Sequence, residues 1–192
     1  MGGKLCRTNP IRRSDPMKWT NIALPGAYVV ELEPVYDDRG FFARTWCSEE
    51  FKSRGLVVDL VQCSISYNTR RGTLRGMHYQ EEPYAEVKLV RCTAGALYDV
   101  ILDLRPSSPT YGKWHAMELN ATNRKMVYVP KGFAHGFQSL TDHSEVLYCI
   151  SESYRAESAK GVRWDDSAFK IEWPIPEKII SERDQRFPDY KL

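Results

Sequence analysis

Arg71-Gly72-Thr73-Leu74-Arg75-Gly76-Met77-His78-Tyr79-Gln80 brings together two guanidinium donor forks, two glycines and one histidine. A planar arginine fork matches a phosphate, glycine lets the backbone come close to a ligand, and an imidazole moves protons near neutral pH. In an extended strand Leu74, Gly76 and His78 share one face and Arg75, Met77 and Tyr79 the other. Arg75 therefore faces away from His78 unless the glycine bends the chain. Taken alone, the stretch reads equally well as a barrel strand whose histidine is a satisfied interior residue.

A second histidine follows in Pro130-Lys131-Gly132-Phe133-Ala134-His135, which fits the PxGxxH element of cupin-type jelly rolls. There a proline and glycine turn the chain so that the histidine enters the barrel. A metal-binding cupin pairs this element with an HxH and a glutamate on an earlier strand, the ligands that iron, manganese or nickel favour. The candidate position here reads His78-Tyr79-Gln80, so the second histidine is missing, and His115 and His143 lie near turns without ligand spacing. Chemistry without a metal or other cofactor is the expectation.

The elements that must position these residues are short and β-rich. Strands are predicted over Ala27–Leu32, Phe41–Trp46, Leu60–Tyr67, Thr73–Gln80, Val87–Cys92, Ala96–Leu104, Lys113–Leu119, Met126–Val129, Ala134–Leu140 and Glu145–Ser151. Each is β-branched or aromatic and is bounded by turn residues such as Arg105-Pro106-Ser107-Ser108-Pro109. One helix is expected, Ser48 to Arg54, with Ser48 as its cap, Glu49 and Glu50 at its positive end and Gly55 terminating it. Many short strands with regular punctuation imply an all-β jelly roll. The tail from Tyr154 onward, with Trp164 and Trp173, reads as a segment packing its tryptophans over the barrel mouth.

A length of 192 residues fits one domain with its own core. Residues 1–20 read as an irregular leader and 21–192 as a single cupin domain. A net charge of +2 gives no case for a nucleic-acid partner, while local arginines can still hold a small phosphorylated ligand. The five cysteines, Cys6, Cys47, Cys63, Cys92 and Cys149, are scattered and form no CxxC pair, which argues for reduced thiols and a cytoplasmic location. No run approaches a membrane span.

The chain resembles the dTDP-4-dehydrorhamnose 3,5-epimerase family. The resemblance rests on Asp38-Arg39-Gly40-Phe41-Phe42, Leu74-Arg75-Gly76-Met77-His78-Tyr79-Gln80, Lys88-Leu89-Val90-Arg91-Cys92, Tyr98-Asp99-Val100, Ser108-Pro109-Thr110-Tyr111-Gly112-Lys113-Trp114, Val129-Pro130-Lys131-Gly132-Phe133-Ala134-His135-Gly136-Phe137 and Leu147-Tyr148. It runs from about Tyr28 to the C-terminus. It implies a metal-free cupin homodimer that inverts C3 and C5 of a nucleotide-linked 4-keto-6-deoxyhexose, the 4-keto group making the adjacent C–H bonds acidic. Such chemistry needs a base, a partner for the enolate oxygen, and an acid on the other face of the ring.

By the same resemblance His78 matches the base, Asp184 the carboxylate that orients it, Lys88 the ammonium beside the sugar carbonyl and Tyr148 the opposite-face acid. Arg39 and Arg75 match positions that contact the diphosphate, Phe42 and Gln62 match ligand-facing positions, and Asp99 and His135 support the site from inside the barrel. Tyr154 is left to supply stacking, because Ser153 replaces the first of an aromatic pair. Val87 stands where a glycine is frequent. Arg44 stands where the family often carries a glutamate that reads the thymine N–H. A guanidinium cannot accept a hydrogen bond, which leaves the nucleotide base open. A single-carbon 3-epimerase or a ketoisomerase, a metal-dependent cupin and a non-catalytic nucleotide-sugar binder are the alternatives.

Overall fold

Apolar and polar side chains alternating between glycine- and proline-marked turns build short antiparallel strands over residues 16–191, the residues that the computed structural model describes. In chain order they are β1 (Lys18–Asn21), β2 (Tyr28–Glu31), β3 (Val35–Asp37), β4 (Gly40–Phe42), α1 (Ser48–Ser53), β5 (Gln62–Asn68), β6 (Leu74–Gln80), β7 (Lys88–Ala94) and β8 (Ala96–Asp103). There follow β9 (Trp114–Asn120), β10 (Met126–Val129), β11 (Phe133–Ser139), β12 (Ser144–Ile150), β13 (Ala159–Gly161) and α2 (Glu182–Gln185). One sheet has the order β1-β2-β10-β7-β12-β5 and a second β13-β6-β11-β8-β9, while β3 and β4 pair only with each other. This is the expected all-β jelly roll.

The inner faces of the two sheets meet through Val90, Cys92, Leu97, Ile101, Phe137 and Val146, all at most 1% exposed. Each larger apolar side chain buried this fully contributes roughly 1.5–3 kcal/mol. The outer face of the six-stranded sheet is covered by Met17, Trp19 and Phe51 of α1, packed on Leu89, Met126 and Tyr128. The outer face of the five-stranded sheet is covered from the C-terminal side, where Val162, Phe169, Ile171 and Trp173 pack on Val100, Leu102, Tyr98 and Trp114. The chain after β13 thus serves as an outer layer for one sheet, and Ile179 to Phe187 then turn back to the barrel.

Several local expectations are corrected. A leader reaching residue 20 does not fit, because Met17 is buried and β1 pairs with β2. The rest of that expectation lies outside the described residues. Helix α1 is capped by Cys47 rather than Ser48 and has no side-chain cap bond, while Gly55 follows it at φ 70° as a terminating glycine requires. Strand β4 stops at Phe42 instead of Trp46, because Pro34 ends its partner β3 and leaves the next residues nothing to pair with. Trp173 sits against Tyr98 on the outer sheet face and donates its indole N–H to the Trp164 carbonyl, so the tryptophans do not cover the barrel mouth. No helix among the described residues is long and apolar enough to cross a membrane.

Candidate active site

A cavity of about 350 Å3 takes its walls from both sheets, with His78 and His135 contributed by the five-stranded sheet and Lys88 and Tyr148 by the six-stranded one. Arg75 lines it as well, although strict alternation sets Arg75 against His78. The register supplies the reason. His78 pairs with His135 and Arg75 with Phe137, so three steps along β6 match two along β11, and β6 carries one extra residue. Gly76 occupies this bulge at φ 138°, where a Cβ would come within 2.5 Å of the Gly136 Cα. Glycine on both strands is what permits the approach, and with it the placing of Arg75 and His78 on one face.

His78 is bonded through Nε2 to Oδ1 of Asp184 at 2.8 Å. Asp184 comes from α2, whose first turn is fixed by the Ser181 hydroxyl accepting the Asp184 N–H, and its Oδ2 accepts the Gly76 N–H. Burial pushes the Asp184 carboxyl up, but the hydrogen bond and charge of His78, the Gly76 N–H and Ser181 outweigh it and hold the group below its ordinary value. The carboxylate is therefore ionised at neutral pH and fixes which ring nitrogen of His78 carries the proton. The other nitrogen is left as the acceptor.

Lys88 begins β7 and reaches across the gap between the sheets. Its Nζ donates to the His78 carbonyl at 3.1 Å and pairs with Glu86 Oε1 at 2.8 Å. Tyr148 stands on β12, one strand away, its ring edge-on to His135 at 5.9 Å. Burial above all, with the Asp99 charge added and Arg75 opposing, drives its phenol well above the ordinary tyrosine value. It stays protonated wherever the protein is folded near neutral pH. Behind it His135 Nε2 is bonded to Asp99 Oδ2 at 2.9 Å, both side chains being almost fully buried. Asp99 Oδ1 has no partner among the described residues.

The remaining residues expected at the site divide sharply. Gln62 and Tyr154 line the cavity with Arg75, the Gln62 side-chain carbonyl accepting the Tyr154 N–H and Arg75 donating to Asn68. Arg39, Phe42 and Arg44 are not brought there. Arg39 is ion-paired to Asp37 on the exposed β3–β4 hairpin, Phe42 is 66% exposed on the same hairpin, and Arg44 is bonded to Glu50 of α1 at 2.8 Å. The correction for a single chain is that the hairpin points its ligand-type residues away from the cavity of its own barrel.

Sequence reasoning missed Glu86, Ser64, Ser66 and Arg183, all of which line the cavity. Ser64 and Ser66 were findable, since they share the parity of Gln62 on one strand. Glu86 precedes Lys88 by two residues and so shares its face. Arg183 had no local signal, because the turn that brings it back is made by contacts far away in the sequence. Among the described residues no group of three or more His, Cys, Asp or Glu side chains stands close enough to hold a metal ion.

A sequence-family profile described as dTDP-4-dehydrorhamnose 3,5-epimerase matches residues 21–191. A dTDP-4-dehydrorhamnose 3,5-epimerase of Shigella flexneri is 41% identical over 170 residues, covering 86% of this chain and 93% of its own. The crystal structure of the enzyme of that name from Bacillus anthracis, with TDP and PPi bound, superposes with a TM-score of 0.88 at 39% identity, covering 91% of this chain and all of its own. A 3'-monoepimerase from Streptomyces bikiniensis, in complex with dTDP-quinovose, superposes with a TM-score of 0.82 at 32% identity, covering 88% of this chain and 85% of its own.

Proposed function

The chain belongs to the dTDP-4-dehydrorhamnose 3,5-epimerase family and is an isomerase of a nucleotide-linked keto sugar, and from that premise we propose which side chains perform the reaction. The reaction is read as dTDP-4-dehydro-6-deoxy-D-glucose going to dTDP-4-dehydro-L-rhamnose, carried out by a single domain that begins with β1 rather than at residue 21. His78, oriented by Asp184, removes the proton from the carbon next to the 4-keto group. The C–H electron pair moves into the C–C bond and the carbonyl becomes an enolate. The Lys88 ammonium stabilises that oxygen, and Tyr148 returns a proton from the opposite face, so the carbon inverts. The cycle repeats at the second carbon after His78 has released its proton to solvent and the Tyr148 phenolate has taken one back.

One observation carries this reading. His78, bonded to Asp184, and Tyr148 come from facing sheets onto one cavity, with Lys88 on the sheet of Tyr148 donating to the His78 carbonyl. A flat ring held in that gap has a base on one side and an acid on the other. Arg75, a guanidinium bonded only to neutral groups, is assigned the diphosphate; Gln62 and Tyr154 contact the substrate at the cavity wall, and Asp99 and His135 hold Tyr148's side of the pocket.

A homodimer completes the proposal. Tyr36 and Phe42 are 69% and 66% exposed on a hairpin that pairs with no other strand, and β5 is an open sheet edge carrying Ile65 and Tyr67 at 63% and 51% exposure, with Val61 at 60% just before it. An unpaired edge that carries exposed apolar residues is a feature that a partner surface removes. In the proposed dimer each hairpin delivers Arg39 and Phe42 to the other subunit's cavity, whereas Arg44 stays with Glu50. Four cysteines that carry no disulfide and a nucleotide-sugar substrate support a cytoplasmic location.

The second reading is epimerisation at C3 alone, favoured by the likeness to the Streptomyces bikiniensis 3'-monoepimerase. Incubation with dTDP-4-dehydro-6-deoxy-D-glucose in deuterated water, followed by NMR, separates the two. Deuterium at C3 and C5 is the expected result; deuterium at C3 only would replace the double epimerase with the single one.

A further inference from the structure

Glu86 lies inside the cavity and makes one of the two contacts that fix the Lys88 ammonium. An ammonium has three N–H donors. One goes to the His78 carbonyl, and Glu86 Oε1 stands 2.8 Å away as an ion-pair partner, so the ammonium is held between two fixed neighbours and its remaining N–H donation is directed away from them. Both side chains are about a tenth exposed, 10% for Lys88 and 11% for Glu86, so neither charge is replaced by bulk water if its partner is lost.

The backbone around Glu86 is built to hold it there. Val87 is buried on the opposite face of the strand, in the cluster with Leu89 and Met126, so alternation turns Glu86 and Lys88 to the cavity together. Val87 is also tied at both of its backbone groups to Ser151, donating to the Ser151 hydroxyl at 2.8 Å and accepting the Ser151 N–H at 3.0 Å. These bonds lock the segment to the chain just beyond β12, the strand that carries Tyr148. Glu86 is thereby anchored to the strand of the acid, while Lys88 is anchored to the residue of the base.

We propose that Glu86 is a positioning residue that acts through Lys88, holding the ammonium's remaining N–H towards the oxygen on which the enolate charge develops; the inference rests on the assignment of Lys88 to that oxygen. The pair also leaves this part of the cavity neutral in the resting enzyme. Charge on the substrate oxygen then meets an ammonium already oriented, with no rearrangement in the transition state.

The test is a double-mutant cycle on the full-length protein with the dTDP-4-keto sugar as substrate, reading kcat and KM separately. Glu86→Ala is expected to lower kcat by about 10–100-fold with KM changed by less than about twofold, and Glu86→Gln, which keeps an acceptor of the same shape, to fall between it and wild type. In a Lys88→Met background, followed by slow solvent deuterium uptake, the same Glu86 substitutions are expected to cost nothing further. Wild-type kcat in Glu86→Ala, or an equal loss in both backgrounds, would overturn the inference. Should Glu86→Ala not fold, Glu86→Gln carries the same comparison. Wild-type kcat in Lys88→Met alone would instead remove the assignment of Lys88, and the inference with it.

Discussion

His78 Nε2 and Asp184 Oδ1 stand 2.8 Å apart although 106 positions separate them in the chain. The carboxylate orients the ring and fixes its tautomer, so Asp184→Asn should lower kcat by about a hundredfold or more while KM changes little, the amide being able to present the wrong group to the imidazole. The sign of its titration also follows. A carboxyl held below its ordinary value keeps its charge as pH falls past that value, so the dyad persists to below about pH 4 and protonation of Asp184 does not set an acid limit nearer neutrality. Steady-state kinetics of the variant check the first statement and a pH profile of the wild type the second.

Tyr148→Phe separates proton removal from proton return. The ring keeps its packing beside His135, and only the hydroxyl proposed to deliver the proton is lost. Uptake of solvent deuterium with little inversion is the expected signature, read by NMR on recovered substrate. A variant that inverts both carbons at the wild-type rate would return Tyr148 to an ordinary core residue.

The proposed shared-site dimer predicts a complementation result. His78→Asn and Arg39→Ala should each be nearly inactive alone, yet after mixing and subunit exchange about a quarter of the wild-type activity should appear, because half the dimers are mixed and each has one intact site. No recovery, with subunit exchange demonstrated by mass spectrometry, would place Arg39 in the cavity of its own subunit or in none.

Asp103 predicts a pH dependence of stability remote from the chemistry. Burial raises its carboxyl, but Arg105, Ser108 and Thr110 together bring it down to about 2 from an ordinary 3.8. A depressed folded-state value contributes stability that is complete above the unfolded value and is lost as pH falls towards 2. For this fully buried group that amounts to about 2 kcal/mol. Asp103→Asn should therefore lower the unfolding free energy by about that much at pH 7, in urea titrations, and the gap to wild type should close between about pH 4 and 2.

Much of the fold is legible in the sequence because its causes are local. Period-two patterning and turn residues mark β5 to β12 to within a few positions, and Gly-Met-His in one strand with Gly-Phe-Ala-His in another announces two inward histidines. What cannot be read there depends on contacts across the molecule. Alternation sets Arg75 opposite His78, and only the bulge against β11, permitted by Gly76 meeting Gly136, brings them to one wall. The end of the tail does reach the barrel mouth, where Asp184 bonds His78 and Arg183 lines the cavity, but the apolar outer face of the second sheet, with Tyr98, Val100 and Leu102, takes Phe169 and Trp173 instead. Arg39 and Phe42 belong to a motif whose residues are legible and whose place in the assembly is not, since nothing within one chain brings the hairpin to a cavity.

The central claim is that one imidazole serves as the base at both carbons. Solvent deuterium uptake at C3 and C5 of dTDP-4-dehydro-6-deoxy-D-glucose, followed by NMR with His78→Asn, tests it most directly. The fold and the sedimentation behaviour should match wild type, the fold judged by circular dichroism, and exchange at both positions should fall to less than about a hundredth of the wild-type rate. Exchange persisting at either carbon at a rate approaching wild type would mean that another group takes that proton, and would contradict the assignment of His78 as the shared base.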